Sequence, residues 1–164
     1  MLTLEDICHL DAAEGWLERG QYAYCFDEME RIDYNNRADA RVFALRWRFY
    51  DQSGQHVRAA KLALRVQRRF PDEPAGYLWR SISLNNLGWT VEAYENLERV
   101  AGKFDGLGIV PYLLAVYSAE LYRFKEARNW LERAFATPDG KELKLRALEE
   151  KPLEPFWQKI REIG

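Results

Sequence analysis

The small and apolar side chains of this chain recur with a spacing of 34 residues. Residues 88–93 read GWTVEA, and segments of the same outline stand at 20–25 (GQYAYC), 54–59 (GQHVRA) and 122–127 (YRFKEA). A glycine just past a helix can adopt the left-handed conformation that reverses the chain, and a small residue five positions later lets the next helix pack closely. Four copies at a constant period therefore predict a helical repeat array in which each unit is a helical hairpin.

Helix boundaries follow from the capping residues and the turns. Thr3 stands three residues before Asp6, which is typical of a capping box, so the first helix is predicted to begin there and to end at Arg19. A turn is predicted at 34–36, and the longest irregular link at 102–111, with Pro111 near the start of the next helix. The remaining helices are predicted at about 22–33, 38–52, 55–69, 74–87, 90–103, 111–122 and 125–136.

The C-terminal residues depart from the repeat. Pro152 and Pro155 interrupt the apolar pattern there, which indicates two short amphipathic helices rather than one long helix. These helices are predicted to cap the exposed end of the array. Their apolar positions are Leu143, Leu145, Leu148, Phe156, Trp157 and Ile160.

Each unit also follows an internal pattern of aromatic, small and large apolar positions. The second unit has Phe43, Trp47, Tyr50, Ala59 and Ala63, and the third has Tyr77, Ser81, Leu84, Ala93 and Leu97. On these residues the chain resembles the tetratricopeptide repeat (TPR) family over about residues 3–140, with the outer units as weaker copies.

The resemblance implies an all-α fold, a right-handed α-α superhelix of about four helical hairpins with short C-terminal capping helices. The repeats would span about 6–39, 40–73, 74–107 and 108–141, with the cap at 142–164, in a single domain covering 1–164. Trp47 stands where the family has a small residue. Because Ala59, Ala60 and Ala63 make room on the neighbouring helix, Trp47 is expected to be buried against Ala63.

Composition narrows the class of protein. Of the 164 residues, 48% are hydrophobic, which is enough to bury a core without metals, cofactors or disulfides. No run approaches the roughly 20 apolar residues of a membrane span, and the N-terminus is acidic where a secretory signal would be basic, so a cytoplasmic protein is expected. Cys8 and Cys25 are expected to be reduced, buried thiols.

The titratable residues argue against an enzyme. His9 and Cys8 are neighbours on a helix and point to different sides, so they cannot form a nucleophile and base pair. His56 lies in a turn with no evident carboxylate partner. The sequence has no phosphate-binding glycine loop, no paired zinc ligands and no nucleophile elbow.

By resemblance, a ligand would bind the inner, concave face formed by the first helix of each hairpin. The guanidinium groups of Arg41 and Arg48 could hold a carboxylate, and the amides of Asn85 and Asn86 could bind a peptide backbone. An equal alternative is that both arginines pair with Glu14 and Glu18 of the preceding unit. The predicted groove residues are Glu14, Arg41, Arg48, Leu78, Ile82, Asn85, Asn86 and Tyr112.

Charge is distributed unevenly. Residues 1–36 hold nine acidic and two basic side chains, a net charge of −7, and residues 37–80 hold four acidic and ten basic, a net charge of +6. Spacings of three and four place Arg58, Lys61, Arg65 and Arg68 on one helix face. This basic stripe could receive an acidic partner or a phosphate backbone, or be a solvated outer face. A pI of about 5.8 argues against nucleic acid.

Several functions fit these features. The leading interpretation is a non-enzymatic interaction module or adaptor of a bacterial type, which binds a peptide or helix of a protein partner in the concave groove. The alternative is a secretion-type TPR chaperone that holds a client protein. A third candidate is a binder of nucleic acid or acidic headgroups through the basic stripe. Self-association through exposed aromatic residues is a further option, with Trp79, Trp89, Trp130 and Trp157 as candidates.

Overall fold

The computed structural model describes residues 1–162, and within that range it contains α-helices and short 3-10 segments but no β-strand. The 3-10 segments are Tyr34–Asn36 and Lys151–Phe156. The helices are α1 (Leu4–Glu18), α2 (Tyr22–Arg31), α3 (Ala40–Gln52), α4 (His56–Arg69), α5 (Ala75–Asn86), α6 (Thr90–Glu98), α7 (Ile109–Glu120), α8 (Phe124–Phe135), α9 (Gly140–Ala147) and α10 (Trp157–Glu162). The all-α prediction is therefore confirmed.

The chain divides into two compact units, and the boundary falls inside α5. The first unit is Met1–Ser83 and the second begins at Leu84. In the first, α1 pairs with α2 and α3 pairs with α4, while α3 also packs against α1 and α2. In the second, α7 packs against α6, α8 and the C-terminal 3-10 segment, and α9 contacts α8 and α10.

The predicted turns adopt the left-handed conformation in all four copies. Gly20, Gly54 and Gly88 have φ values of 69°, 72° and 79°, and the fourth copy places a non-glycine residue, Tyr122, at φ 59°. The residue after each of these donates its backbone N–H to a carbonyl five residues earlier; for example, the Gln21 N–H bonds the Trp16 carbonyl at 2.9 Å. These bonds satisfy carbonyls that the ends of the helices leave open.

Most helix boundaries agree with the pattern within two residues. The capping box at Thr3 and Asp6 is present. The pattern predicts that the sixth helix reaches residue 103, but it ends at Glu98 and is followed by successive turns. In the predicted cap, Leu143 and Ile160 are buried, whereas Leu145 is exposed. The last two residues of the predicted cap, 163 and 164, lie outside the described range.

Two core predictions need correction. Trp47 is half-buried rather than buried. Its indole stacks on Trp79, with ring centroids 5.3 Å apart, and its Nε1–H donates to Ser83 Oγ at 3.0 Å. Trp47 also packs against the hydrophobic cluster that includes Leu62 and Val66 of α4. Cys25 is buried as predicted, and burial raises its pKa to about 11, whereas Cys8 is exposed.

None of the helices among residues 1–162 is both long enough and apolar enough to cross a membrane.

Candidate functional site

Two of the predicted groove residues of the first unit, Glu14 and Arg48, contact one another. Arg48 Nη1 lies 3.5 Å from Glu14 Oε1, and both side chains are partly exposed. The intramolecular contact that the alternative predicts is therefore present for this pair. The alternative is wrong for Arg41, whose Nε lies 3.4 Å from Asp39 Oδ1, at the start of its own helix. Leu78 and Ile82 are half-buried.

In the second unit, two predicted groove residues have internal roles. The Asn85 amide donates to Glu120 Oε1 at 3.2 Å and accepts from the Thr90 hydroxyl at 2.8 Å. Asn86 is exposed. The resemblance implies that Tyr112 lines the groove, but this side chain is completely buried.

Tyr112 is buried because the C-terminal residues cover its helix. Its hydroxyl lies 3.4 Å from Glu150 Oε2, and the Arg146 guanidinium lies 5.2 Å from the centre of its ring. Burial, followed by the charge of Glu150, raises the Tyr112 pKa above its usual value. Every residue from Val110 to Ala119 is buried, so the face of α7 that a ligand would need is already occupied by the chain itself.

The basic stripe on α4 lines a cleft instead of an open surface. Arg58, Lys61 and Arg65 form one wall of a hollow of about 650 Å³ in the first unit. Other lining residues come from the 3-10 segment, from the residues after it and from α3. The lining residues are Tyr34, Asn35, Arg37, Ala38, Phe43, Arg46, Tyr50, Arg58, Lys61, Leu62 and Arg65. We call this hollow the basic cleft.

Two of the five cations in the basic cleft share one carboxylate. Glu30 Oε1 accepts from Arg46 at 2.7 Å, and Glu30 Oε2 accepts from Arg37 at 3.0 Å. The hydrogen bond from Arg46 is the largest cause of a lowered Glu30 pKa. Arg37 also donates from Nε to the Ile32 carbonyl at 3.0 Å. Both guanidinium groups are thus held in place on the walls.

The other three cations of the basic cleft are not neutralised within the part of the chain that the structure describes. Arg58 donates to the uncharged Gln55 Oε1 at 2.6 Å. No carboxylate among residues 1–162 lies within ion-pair distance of Arg58, Lys61 or Arg65. Since all three side chains are exposed, the cleft presents a net positive charge to solvent.

The floor of the basic cleft is apolar. Phe43 and Leu62 are buried members of one hydrophobic cluster, against which Ala38 and Tyr50 pack. A second hollow of about 420 Å³ shares Ala38, Phe43 and Arg65 with the cleft. It adds Arg68, the fourth member of the basic stripe, and Arg69. The cationic surface is therefore continuous from one hollow to the next.

The α4 wall of the basic cleft was predictable from the sequence, whereas its other walls were missed. Arg46 precedes Trp47, at a position where the TPR resemblance implies a leucine, and its side chain is only 15% exposed. An arginine in an apolar position of the repeat was a signal that a polar site lies nearby. Arg37 and Tyr34 carried no comparable signal, because they lie in the linker between two helical hairpins, where the repeat has no fixed sequence pattern.

Both histidines have carboxylate neighbours. His9 Nδ1 lies 2.7 Å from Glu28 Oε2, and His56 Nδ1 lies 3.3 Å from Asp51 Oδ1. The expectation that His56 lies in a turn with no carboxylate partner is therefore wrong, since His56 begins α4 and lies within ion-pair distance of Asp51 near the end of α3. In residues 1–162, no group of three or more His, Cys, Asp or Glu side chains is arranged to bind a metal ion.

Comparison with known proteins identifies the fold. No protein-family model matches the sequence, and no curated protein sequence matches it. The crystal structure of a thermophilic TPR protein of Thermus thermophilus superimposes with a TM-score of 0.70 at 18% identity, covering 95% of each chain. MamA from AMB-1 superimposes with a TM-score of 0.47 at 16% identity, covering 80% of this chain and 98% of MamA. The first of these similarities, together with the repeated hairpin turns, shows that the chain has the fold of a TPR protein.

Proposed function

We propose that this chain is a protein-binding module whose basic cleft receives an acidic segment of a partner protein. The observation that supports this most directly is the composition of the cleft. Five cations surround an apolar floor, and among residues 1–162 only Arg37 and Arg46 of these are paired with a carboxylate. Solvent-exposed cations around an apolar hollow fit a ligand that carries carboxylates and one apolar side chain.

The chemistry of the walls defines the ligand further. Arg58, Lys61 and Arg65 are spaced by three and four residues along one helix, so they can meet carboxylates presented with the same spacing by a partner helix. Phe43 and Leu62 would contact an apolar side chain between those carboxylates. Because Glu30 fixes Arg37 and Arg46, part of the wall is ordered before binding, which lowers the entropic cost of association.

A protein ligand fits better than nucleic acid. The whole chain has a net charge of −2, and residues 1–36 of the same unit are strongly acidic, which would repel a long polyanion. A hollow of about 650 Å³ suits one or two side chains of a peptide, whereas a duplex requires an extended contact surface. The similarity to a TPR structure is in keeping with a protein partner but carries only the fold.

A direct binding measurement tests the proposal. The probe is a fluorescein-labelled synthetic helical peptide of about 20 residues, with glutamates at positions i, i+3 and i+7 and a leucine between them, followed by anisotropy. We expect saturable binding that weakens as salt rises. Lys61→Glu combined with Arg65→Glu should weaken it by at least about tenfold, because two attractive contacts become repulsive.

The matched control makes the same change in net charge at a site far from the cleft in sequence. Lys125→Glu combined with Lys159→Glu alters two exposed lysines of the second unit and should leave the affinity within about twofold of wild type. Equal loss in both double variants would contradict a site in the cleft. Tighter binding of an oligonucleotide of equal charge would contradict a protein ligand. Equal binding of an uncharged apolar peptide would favour a chaperone-like holder over an acidic-segment receptor.

A further inference from the structure

We infer that a second copy of this chain supplies the acidic segment, through a row of carboxylates on α1 that fits the basic cleft. This inference rests on the proposed function and names the partner. The row consists of Asp11, Glu14 and Glu18, which share one face of α1. We call it the acidic row.

The two surfaces match in spacing. Asp11, Glu14 and Glu18 are separated by three and four residues, and so are Arg58, Lys61 and Arg65. At the rise of an α-helix, each set covers about 10 Å. Two helices that carry opposite charges with the same spacing can form three contacts at once when they lie side by side.

Two of the three carboxylates of the acidic row have no cationic partner in the first unit. Asp11 and Glu18 are exposed, and no cation among the described residues lies within ion-pair distance of either carboxylate. Glu14 has one cationic neighbour, Arg48, at the long distance of 3.5 Å. The guanidinium of Arg19, next to Glu18, lies over the Trp16 ring at 4.5 Å from its centre instead of against a carboxylate.

The net charges of long stretches of the chain favour the same contact between copies. The net charge of −7 over residues 1–36 nearly balances the +6 of residues 37–80, and the chain as a whole carries only −2. Two copies therefore repel one another weakly as wholes, while oppositely charged regions attract. The acidic row and the basic cleft lie on different helices, so the contact joins unlike surfaces and each copy keeps one of each.

The mass in solution tests this inference. Multi-angle light scattering at low ionic strength should give a mass that rises above 19.4 kDa with protein concentration, and salt at about 0.5 M should return it to the monomer. Lys61→Glu with Arg65→Glu reverses the charge of two cleft residues. Asp11→Lys with Glu18→Lys reverses the charge of two residues of the acidic row. Each double variant alone should remain monomeric.

Mixing the two double variants gives the decisive result. Each double variant alone presents two surfaces of the same charge sign, whereas in an equimolar mixture both acidic surfaces of one copy can meet basic surfaces of the other, so the mixture should associate. A mixture that stays monomeric, or wild-type protein that is monomeric at all concentrations in low salt, would overturn the inference. The Lys125→Glu, Lys159→Glu variant should associate like wild type.

Peptide binding separates this inference from the proposed function. The Asp11→Lys, Glu18→Lys variant keeps its cleft and should bind the acidic peptide at least as tightly as the wild type, in which the acidic row of a second copy competes for the cleft. If that variant binds the peptide and the wild type shows no self-association, the second copy is excluded as the partner, while the acidic-segment receptor stands. If neither protein binds the peptide, the proposed function fails as well.

Discussion

Tyr122 is a non-glycine residue with a positive φ. It occupies the turn position that glycine fills in the other three copies, and its φ of 59° lies in the left-handed region. An L-residue with a Cβ is disfavoured there by roughly 1–2 kcal/mol. The side chain recovers little by burial, since it is 81% exposed and contacts Phe124 only edge-on at a centroid distance of 6.1 Å.

Tyr122→Gly should therefore stabilise the chain, by about 0.5–1 kcal/mol after the greater flexibility of glycine in the unfolded chain is included. Urea unfolding followed by circular dichroism measures the free energy of unfolding. The matched substitution in the opposite direction, Gly54→Ala, should destabilise by about 1 kcal/mol. A destabilised Tyr122→Gly variant would mean that the aromatic contact outweighs the backbone strain.

Asp6 joins the start of α1 to the segment after α2. Its carboxylate accepts from the Thr3 backbone N–H at 2.9 Å, the Asp33 backbone N–H at 2.8 Å and the Asn36 amide at 2.7 Å. These bonds, led by the one from the Thr3 backbone, hold the Asp6 pKa far below its usual range. The charged carboxylate is the form that the folded chain stabilises.

Stability should consequently decrease in acid. Because the folded pKa of Asp6 is depressed, its contribution is complete above the unfolded value of about 3.9 and is lost as the pH falls towards the folded pKa. Thermal melts between pH 7 and pH 2 measure this. Asp6→Asn should lower the melting temperature at pH 7 and reduce the dependence of the melting temperature on pH below about 4. An Asp6→Asn variant with the same acid dependence as wild type would contradict this role.

At the scale of elements, the sequence predicted those features that depend on residues close together in the chain. The hairpin turns and the capping box were predictable because a glycine conformation or a hydroxyl-carboxylate pair acts within a few residues. The end of α6 was not, because residues 99–104 continue in turns, such as the Lys103 N–H to Val100 carbonyl bond at 2.9 Å. Nor was the burial of Tyr112, which depends on the path that a distant C-terminal segment takes.

The close approach of α5 to α4 depends on one glycine that the repeat pattern did not single out. A Cβ on Gly76 would lie 2.4 Å from the Gln67 backbone nitrogen. Backbone atoms cannot move away as a flexible side chain can, so Gly76→Ala should cost about 1–3 kcal/mol. Gly102→Ala is the control, since a Cβ there has nothing within 4 Å. Equal unfolding free energies for the two variants would contradict the close packing of these helices.

At the scale of the whole molecule, the basic cleft illustrates which part of a site a sequence can reveal. Arg58, Lys61 and Arg65 were identified because they share a helix, and periodicity reports what one helix presents. Arg37 and Arg46 come from other elements and are brought to the cleft by tertiary packing, with Glu30 between them. Which cations stay unpaired is a property of the fold, and the sequence alone did not decide it.

The location of a bound acidic peptide is measured most directly by amide chemical-shift mapping of the 15N-labelled protein. We predict that the peptide shifts the amides of Lys61, Leu62 and Arg65 on α4, and those of Asn35 and Arg37, which also line the cleft. The same titration of the Lys61→Glu, Arg65→Glu variant should leave these amides unchanged. Shifts confined to Leu78 and Ile82, on the first-helix face predicted for the groove, would contradict binding in the basic cleft.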